Sequence, residues 1–433
     1  MKKSLLWRGL VVVLVLAFAL SACAPKPAAP AAPAAQAPVA EAPAAEAPAA
    51  EAPAAEAPAA GGMQIPDVVE GKYNVALVML SPHDDAGWSQ AQWEGLTYLQ
   101  ANADNVHTAY VESVAEGADA EQVFRALARK GFDVIFGGSF GYMDSMEMVA
   151  PDFPDQYFIH ISGFKANETN FGNMFGAMEN MKYMAGMISG ARAKLDGKTK
   201  TGYIATFPIP EEYRLGNAYA LGLQKTCPEC TMDVRWISTW HDPILEREAA
   251  DSLFDAGAHI VYTGADTPAT ALAAEARGDV WGITYDWVGS CTVSRCLTAP
   301  YWNWGVIFVG IVDGLRDGTY QPGWDYWDSD TGGVGIYGLM AGQEMTPGMK
   351  EIAEQLPEDM ALIQETLAKM LAGEFTRFDV FAGPIVDNKG NTVLEAGQKM
   401  EQADIDCFSA WGFCEVGMGW WNQNVTAELS EIQ

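Results

Sequence analysis

Aromatic and acidic side chains recur in the loops that follow the predicted strands of this 433-residue chain. Each of these loops supplies an aromatic ring, a carboxylate or both, and the residues concerned are Trp88, Phe140, Trp240, Asp266, Asp286 and Trp302. Aromatic rings stack on flat ligands, and carboxylates accept hydrogen bonds from the edge of such a ligand. The pattern predicts a cleft with aromatic walls that binds a small heterocycle.

The adjacent carboxylates Asp84 and Asp85 are candidates for catalysis, as a pair that exchanges a proton. The sequence offers no nucleophile or metal partner close to them, and one of the two could instead cap the helix that follows. The chain also lacks G-x-G-x-x-G after its first strand, the Walker motif and H-E-x-x-H. We therefore expect a protein that is not an enzyme and that holds no cofactor and no metal.

Six of the seven cysteines form three close pairs in the sequence, namely Cys227 with Cys230, Cys291 with Cys296, and Cys407 with Cys414. An even number of cysteines in local pairs is typical of disulfides in proteins from oxidising compartments. A zinc site is the alternative, but the three spacings differ and no C-x-x-C is repeated. The sequence favours three short-loop disulfides.

The seventh cysteine, Cys23, ends an N-terminal region that is typical of exported proteins. Residues 1–22 combine Lys and Arg with a short apolar run, as a secretory signal peptide does. That run is about half of the roughly 20 apolar residues that cross a bilayer. The segment Leu20-Ser-Ala-Cys23 resembles the bacterial lipobox, in which the cysteine is lipidated. We expect a lipid anchor at Cys23, and an ordinary signal peptide is the alternative.

An Ala- and Pro-rich tract follows the lipidated cysteine, and residues 23–62 are predicted to form a linker. The unit Glu-Ala-Pro-Ala-Ala repeats every five residues. Such a sequence cannot form a core, and the frequent Pro residues prevent a continuous helix. In an extended conformation of about 3.1 Å per residue, the linker could hold a domain up to about 120 Å from the membrane.

Composition excludes several kinds of partner. The chain has 26 Lys and Arg residues against 56 Asp and Glu residues, so its formal net charge is −30. This charge argues against a nucleic acid partner and against docking on anionic lipid, because both need a basic surface. Apolar residues make up 49% of the chain, which is ample for folded cores.

The elements that position the aromatic and acidic residues alternate between strand and helix beyond residue 72. The apolar run at 73–80 is typical of a strand buried on both faces of a parallel sheet. Further strands are predicted at 106–112, 132–137, 156–161, 201–206, 232–238, 259–262 and 280–284. Asp242-Pro243 indicates a helix start, because Asp caps helices and Pro suits their first turn. The alternation predicts two doubly wound α/β sheets, which bind ligands beyond the carboxyl ends of their strands.

Several segments together resemble the basic membrane protein (BMP, or Med) family of lipoproteins, which bind substrates for ABC importers. The segment Asp84-Asp-Ala-Gly-Trp-Ser-Gln-Ala-Gln-Trp-Glu-Gly95 is similar to the family signature D-[DKG]-x-[SG]-[FW]-N-x-x-x-x-x-G. Other similar segments begin at Phe140, Phe207, Trp240, Asp266, Trp302 and Phe381. The resemblance covers about residues 72–420.

The family includes receptors for purine nucleosides, and the resemblance implies roles for individual residues. Trp88 takes the place of the ring that stacks on the base, and Asp84 or Asp85 takes the place of an acid that binds the edge of the base. Trp240 matches an aromatic residue on the opposite lobe. Asp286 matches a carboxylate that binds the ribose hydroxyls.

Two positions depart from the nucleoside receptors. Ser89 stands where those receptors usually have Asn, and Trp302 stands near the place of a Lys that contacts the sugar. The second change removes a cation and adds a ring. It permits a bare nucleobase or another heterocycle as the ligand.

The resemblance implies a type I periplasmic-binding fold, with two doubly wound parallel-sheet lobes joined by a hinge. We expect residues 72–178 and 302–320 in the first lobe, and residues 198–298 and 335–433 in the second. Residues 381–397 are predicted to form a hairpin, with its turn at Asp387-Asn-Lys-Gly390.

The expected function is capture of a purine-type nucleoside or nucleobase between the lobes. The expected partners are an ABC permease and the membrane, through the lipid anchor, and we expect a monomer on the extracytoplasmic face. Two alternatives share these features: a receptor that presents its ligand to a signalling protein, and a sugar-binding protein of the same fold.

Overall fold

The computed structural model of the chain describes residues 64–167, 169–412 and 414–427. The predicted signal peptide, Cys23 and the linker lie outside the described residues. The described part is built around two parallel sheets, and its core residues lie on both faces of each sheet. No helix in this part has the length and apolar character needed to cross a membrane.

The larger sheet has six strands, and all of its neighbouring strands are parallel. In spatial order they are β11 (Trp324–Trp327), β5 (Phe171–Gly176), β4 (Tyr157–Ile161), β3 (Val134–Gly138), β1 (Tyr73–Met79) and β2 (Val106–Val111). The smaller parallel sheet has four strands, in the order β7 (Thr231–Trp236), β6 (Lys200–Ala205), β8 (Ile260–Thr263) and β9 (Trp281–Ile283).

Helices cover both faces of these sheets. They are α1 (Trp88–Asn102), α2 (Ala118–Lys130), α3 (Met143–Val149), α4 (Met178–Leu195), α5 (Pro210–Thr226), α6 (Pro243–Asp255), α7 (Ala269–Arg277), α8 (Trp304–Asp317), α9 (Pro347–Gln355), α10 (Pro357–Leu371), α11 (Arg377–Val380) and α12 (Gln402–Ile405). Successive side chains of a strand point to opposite faces. Leu77 therefore belongs to the same core as Leu96 of α1, whereas Val78 packs with Phe124 of α2.

All eight strands predicted from the sequence are present, and the predicted cap of α6 is confirmed. The Asp242 carboxylate accepts hydrogen bonds from the backbone N–H groups of Ile244 and Leu245, at 2.9 and 3.0 Å. Pro243 occupies the first turn, where its missing N–H is not needed.

Four strands were not predicted from the sequence, and for one of them, β5, the residue types explain why. Strand β5 reads Phe-Gly-Asn-Met-Phe-Gly, and both Gly and Asn are depleted in strands. Strands β10 (Pro300–Trp302) and β12 (Val334–Ile336) form a short antiparallel pair that links the two halves of the fold. Strand β11 lies between the ranges 302–320 and 335–433, outside both predicted lobes, and it pairs with β5 at the edge of the larger sheet.

Helix α4 connects the two sheets and is buried along nearly all of its length. It packs closely against α5 because each helix has glycine at the contact. A methyl group on Gly186 would overlap the carbonyl oxygen of Tyr219, and one on Gly222 would overlap that of Tyr183. This contact brings the first turns of both helices together beneath the carboxyl ends of the strands.

The C-terminal region packs against the rest of the described chain. Helices α9 and α10 contact α4, and the Trp421 ring lies 4.8 Å from that of Tyr213. The predicted hairpin is confirmed, with β13 (Ile385–Val386) antiparallel to β14 (Thr392–Leu394). The sulfur atoms of all three local cysteine pairs are bonded to each other.

Candidate ligand-binding site

A cavity lies between the carboxyl ends of the two parallel sheets. From the larger sheet, the residues that line it are Leu80, Trp88, Ser139, Phe140 and Ser162. From the smaller sheet, they are Glu211, Glu212, Trp240, Gly264, Asp266, Tyr285 and Asp286. Parallel α/β sheets bind ligands at this edge, so the cavity is the candidate site.

Five of the nine residues predicted to bind the ligand line this cavity, namely Trp88, Phe140, Trp240, Asp266 and Asp286. Trp88 is the first residue of α1, and its indole N–H donates to the carbonyl oxygen of Gly138 at 2.6 Å. Trp240 lies across the cavity, with its ring centroid 5.0 Å from that of Phe207. The structure therefore brings aromatic rings from both sheets to one space.

The other four predicted residues do not line the cavity, and Asp85 has a different role. Its carboxylate accepts the backbone N–H groups of Gly87, Ser89 and Gln90 at 2.9, 3.0 and 2.9 Å. This is the capping role that the sequence offered as an alternative. Burial raises the pKa of Asp85, while these three hydrogen bonds lower it. The neighbouring Asp84 is exposed.

Ser89 and Trp302 are buried behind the cavity wall. The Ser89 hydroxyl oxygen accepts the backbone N–H of Ser81 at 3.2 Å, which ties the loop to the end of β1. The Trp302 indole N–H donates to Asp286 Oδ1 at 2.8 Å, and its ring stacks on that of Trp304 with centroids 4.6 Å apart. Trp302 therefore supports Asp286 from behind, and it occupies one of the two oxygens of that carboxylate.

Asp266 and Asp286 are buried neighbours in the cavity wall, and each carboxyl group shifts the pKa of the other. Burial raises the pKa of Asp286 to about 8, against the opposing effect of the Lys182 ammonium. Burial and the nearby Asp286 carboxylate raise the pKa of Asp266 well above its usual range.

Among the cavity residues that the sequence analysis missed, three have titratable side chains: Glu211, Glu212 and Tyr285. Burial raises the pKa of Glu211 to about 8. Glu212 accepts the Tyr203 hydroxyl at 2.6 Å and the backbone N–H of Thr206 at 3.1 Å. Two acids in the first turn of a helix are common for electrostatic reasons, so their types alone gave no reason to assign them to a site.

Lys182 of α4 was also missed, because nothing in the sequence of a long apolar helix places its side chain near the cavity. The side chain is fully buried, and its ammonium nitrogen lies 2.8 Å from the ring centroid of Tyr285. Burial lowers the pKa of Lys182 well below its usual range, and the carboxylates of Asp286 and Glu212 oppose that change. The lysine partly balances the acidic groups around the cavity.

A buried histidine holds the loop that carries Ser139 and Phe140. Asn173 donates to His160 Nδ1 at 2.8 Å, so the other ring nitrogen is free to donate to the Ser139 carbonyl oxygen at 2.7 Å. Burial lowers the pKa of His160 to about 4, so the ring is neutral near pH 7. This histidine is a positioning residue.

The lining residues together define what the cavity can do. Its polar side chains are carboxyls and hydroxyls, and the lining contains no Arg, Lys or His. A carboxyl group accepts hydrogen bonds whether it is ionised or protonated, and in the protonated form it also donates one. The cavity therefore suits a flat ligand that presents N–H or O–H groups and carries no anionic group.

Comparison with known proteins gives a family match over residues 72–356, to the PnrA-like ABC transporter substrate-binding proteins. A purine-binding protein of Brucella abortus is 32% identical over 78% of this chain and 91% of its own length. A candidate ABC transporter glucose-binding protein of Haloferax volcanii is 35% identical over 66% of this chain and 72% of its own length.

Solved structures match the fold. A solute-binding protein of an ABC transporter from Aeropyrum pernix K1 superposes with a TM-score of 0.57 at 19% identity, over 70% of this chain and 92% of that one. A second, from Conexibacter woesei, gives 0.54 at 21% identity, over 70% and 97%. The predicted periplasmic-binding fold, with parallel sheets flanked by helices, is confirmed.

Proposed function

The chain belongs to the PnrA-like family of ABC transporter substrate-binding proteins, and from that premise we propose that its ligand is a purine-type heterocycle. Members of this family bind a substrate outside the cytoplasm and deliver it to a permease, and they are not enzymes. The finer question is which small molecule the cavity takes.

One observation carries the proposal: Trp88 and Trp240 reach the same cavity from different sheets, next to the carboxyl groups of Asp266 and Asp286. Two rings on opposite sides can stack on both faces of a planar ligand. The carboxyl groups can then accept N–H groups at the edge of that ligand. A purine offers a flat ring, a ring N–H and, in adenine and guanine, an exocyclic amine.

Trp302 favours a nucleobase over a nucleoside. A ribose diol binds best to both oxygens of a carboxylate, and the Trp302 indole N–H already takes one acceptor site on Asp286 Oδ1. Trp302 is only 4% exposed and is stacked on Trp304, so moving it aside would disrupt a packed core. The purine-binding relative supports the same ligand class.

A sugar is the second candidate, since the glucose-binding relative has comparable identity. Tryptophan rings also stack on sugar rings, and sugar hydroxyls can donate to carboxylates. A receptor that passes its signal to another protein would share all of these features and would differ only in its partner. Ligand uptake in a strain that lacks the permease distinguishes a transport role from a signalling role.

We also propose a lipoprotein, anchored through Cys23 after removal of residues 1–22 and acting as a monomer. The proposed lobes are residues 72–178 with 302–320, and residues 198–298 with 335–433. The packing of α8 on α1 supports the first assignment, and the pairing of β11 with β5 extends that lobe to Trp327.

Isothermal titration calorimetry with purines, their nucleosides and simple sugars tests the proposal. We expect adenine, guanine or hypoxanthine to bind, and to bind more tightly than the matching nucleoside. Binding of glucose or ribose alone, with no purine signal at millimolar concentration, would overturn it.

A further inference from the structure

The backbone turn that carries Asp286 is unusual. Asp286 has a φ of 67°, and the backbone N–H of Trp287 donates to the carbonyl oxygen of Tyr285 at 2.9 Å. A three-residue turn with positive φ at its centre is rare and strained, above all for a residue with a side chain. Strain of this kind persists where the surroundings enforce it, and it is often found at functional sites.

This turn sends consecutive side chains to different places. Tyr285 and Asp286 line the cavity, whereas the Trp287 indole N–H donates to Glu94 Oε1 at 2.8 Å. Trp287 follows β9 of the smaller sheet, and Glu94 belongs to α1, which packs on the larger sheet. The hydrogen bond therefore joins the two sides of the cleft.

Neighbouring residues fix both partners of this bond. A methyl group on Gly289 would overlap the Trp287 ring, so the ring rests directly on the backbone there. Gln90 lies one turn before Glu94 and donates to the same oxygen at 3.3 Å. Both Trp287 and Glu94 are half-buried, so opening the cleft would expose each of them to water.

We propose that the Trp287–Glu94 hydrogen bond is a latch that holds the cleft closed over the ligand. The inference rests on the proposed function only in taking this cavity as the binding site. Trp287 and Asp286 share a peptide bond inside a strained turn, so a ligand that fixes the Asp286 side chain also fixes the indole. The latch breaks when the cleft opens, so it acts mainly on the rate of ligand release.

Two variants remove the latch from opposite sides. Trp287→Phe keeps a ring but loses the donor, and Glu94→Ala loses the acceptor. We expect each to raise the dissociation rate of adenine about 5- to 10-fold, the effect of losing one half-buried hydrogen bond, with little change in the association rate. Glu94→Gln keeps an acceptor oxygen and should stay within about 3-fold of wild type. Trp324→Phe, on the edge strand β11, is the matched control.

A second measurement does not depend on the ligand. Hydrogen–deuterium exchange of the full chain, without ligand, should be about 5- to 10-fold faster in Trp287→Phe and Glu94→Ala for the peptides that contain Gly87 and Asp266. Those two backbones belong to opposite sides of the cleft and touch in this structure, so opening of the cleft would separate them. If adenine fails to bind but exchange is faster, the latch stands and the purine assignment falls. If adenine binds and both variants match wild type in release and exchange, the latch is refuted.

Discussion

The backbone of Gly87 touches that of Asp266, so closely that a methyl group at residue 87 would overlap the carbonyl oxygen of Asp266. Gly87 precedes α1 on the larger sheet, and Asp266 follows β8 on the smaller sheet. The contact therefore depends on closure of the cleft. Glycine is needed at residue 87 because the contact leaves no space for a side chain.

Gly87→Ala should hinder closure without destabilising either sheet. Overpacking costs about 1–3 kcal/mol, so we expect ligand affinity to fall roughly 5- to 150-fold. Calorimetry measures the affinity, and the melting temperature without ligand should change little. Gly323→Ala is the control, since the nearest atom to its added methyl group is 3.9 Å away. Wild-type affinity in Gly87→Ala would contradict this prediction.

Trp240→Ala removes one wall of the cavity. Stacking of a base on an aromatic ring contributes about 1–3 kcal/mol, so we expect purine affinity to fall roughly 5- to 150-fold. Trp240→Phe should retain most of the affinity because it keeps a ring. Trp324→Ala, at a tryptophan that is 37% exposed, should bind like wild type. Equal affinity in the two Trp240 variants would count against stacking.

Trp302→Phe should shift the choice between base and nucleoside. The variant frees Asp286 Oδ1 and leaves space where the indole was. One new hydrogen bond contributes about 0.5–1.5 kcal/mol, so the affinity for adenosine relative to adenine should rise about 2- to 10-fold. Titration of both ligands against wild type and variant gives this ratio. An unchanged ratio would mean that Trp302 does not limit access to the carboxylate.

Glu246 should make the stability of the fold depend on pH. It accepts the hydroxyls of Thr267 and Thr270 at 2.6 and 2.9 Å, and burial raises its pKa to about 7. Between its ordinary pKa of 4.5 and about 7, the folded state binds a proton that the unfolded state releases. The contribution of Glu246 to the free energy of unfolding is therefore fully present below pH 4.5. It is lost as the pH rises to about 7, by at most about 1.4 kcal/mol per pH unit.

Denaturant unfolding at pH 5 and pH 8 measures this effect. The loss of stability between the two values should be smaller in Glu246→Gln than in wild type. Other buried acids, such as Asp286, keep part of the slope in both proteins. The control Glu344→Gln, at an exposed position, should lose as much stability between pH 5 and pH 8 as wild type. An equal loss in Glu246→Gln would refute the role of Glu246 in this pH dependence.

Cys23→Ser tests the anchor. The unlipidated chain should be found in the soluble fraction rather than with membranes, because acylation of the cysteine supplies the only predicted attachment. Fractionation and intact mass of both proteins measure this. A variant that remains with membranes as wild type does would rule out the lipobox interpretation.

The family and the fold class could be predicted from sequence because they depend on local patterns. Continuous apolar runs such as 73–79 mark strands buried on both faces, and Asp242-Pro243 marks a helix start. The predictions of fold, family and a non-enzymatic role are confirmed by the family match and the solved structures. Strand β5 was not predicted, because burial and not its residue types stabilises it as a strand.

The candidate site was predicted only in part. Aromatic residues after strands reach the cavity because the ends of parallel strands meet at one edge, and Trp88 and Trp240 are examples. Whether Asp85 faces the ligand or caps a helix depends on a few backbone angles at the end of β1. No residue pattern distinguishes these two outcomes.

The sequence by itself determined most strands of the two parallel sheets, which edge of the sheets carries the site and which family the chain belongs to. Only the tertiary structure decided that Glu211 and Lys182 lie near Asp286 and that Trp302 stands behind it. Trp287 and Glu94 are far apart in the chain, and they likewise come into contact only in the tertiary structure. The reason is physical: local periodicity follows from backbone geometry, whereas contacts between distant side chains depend on how helices and sheets pack.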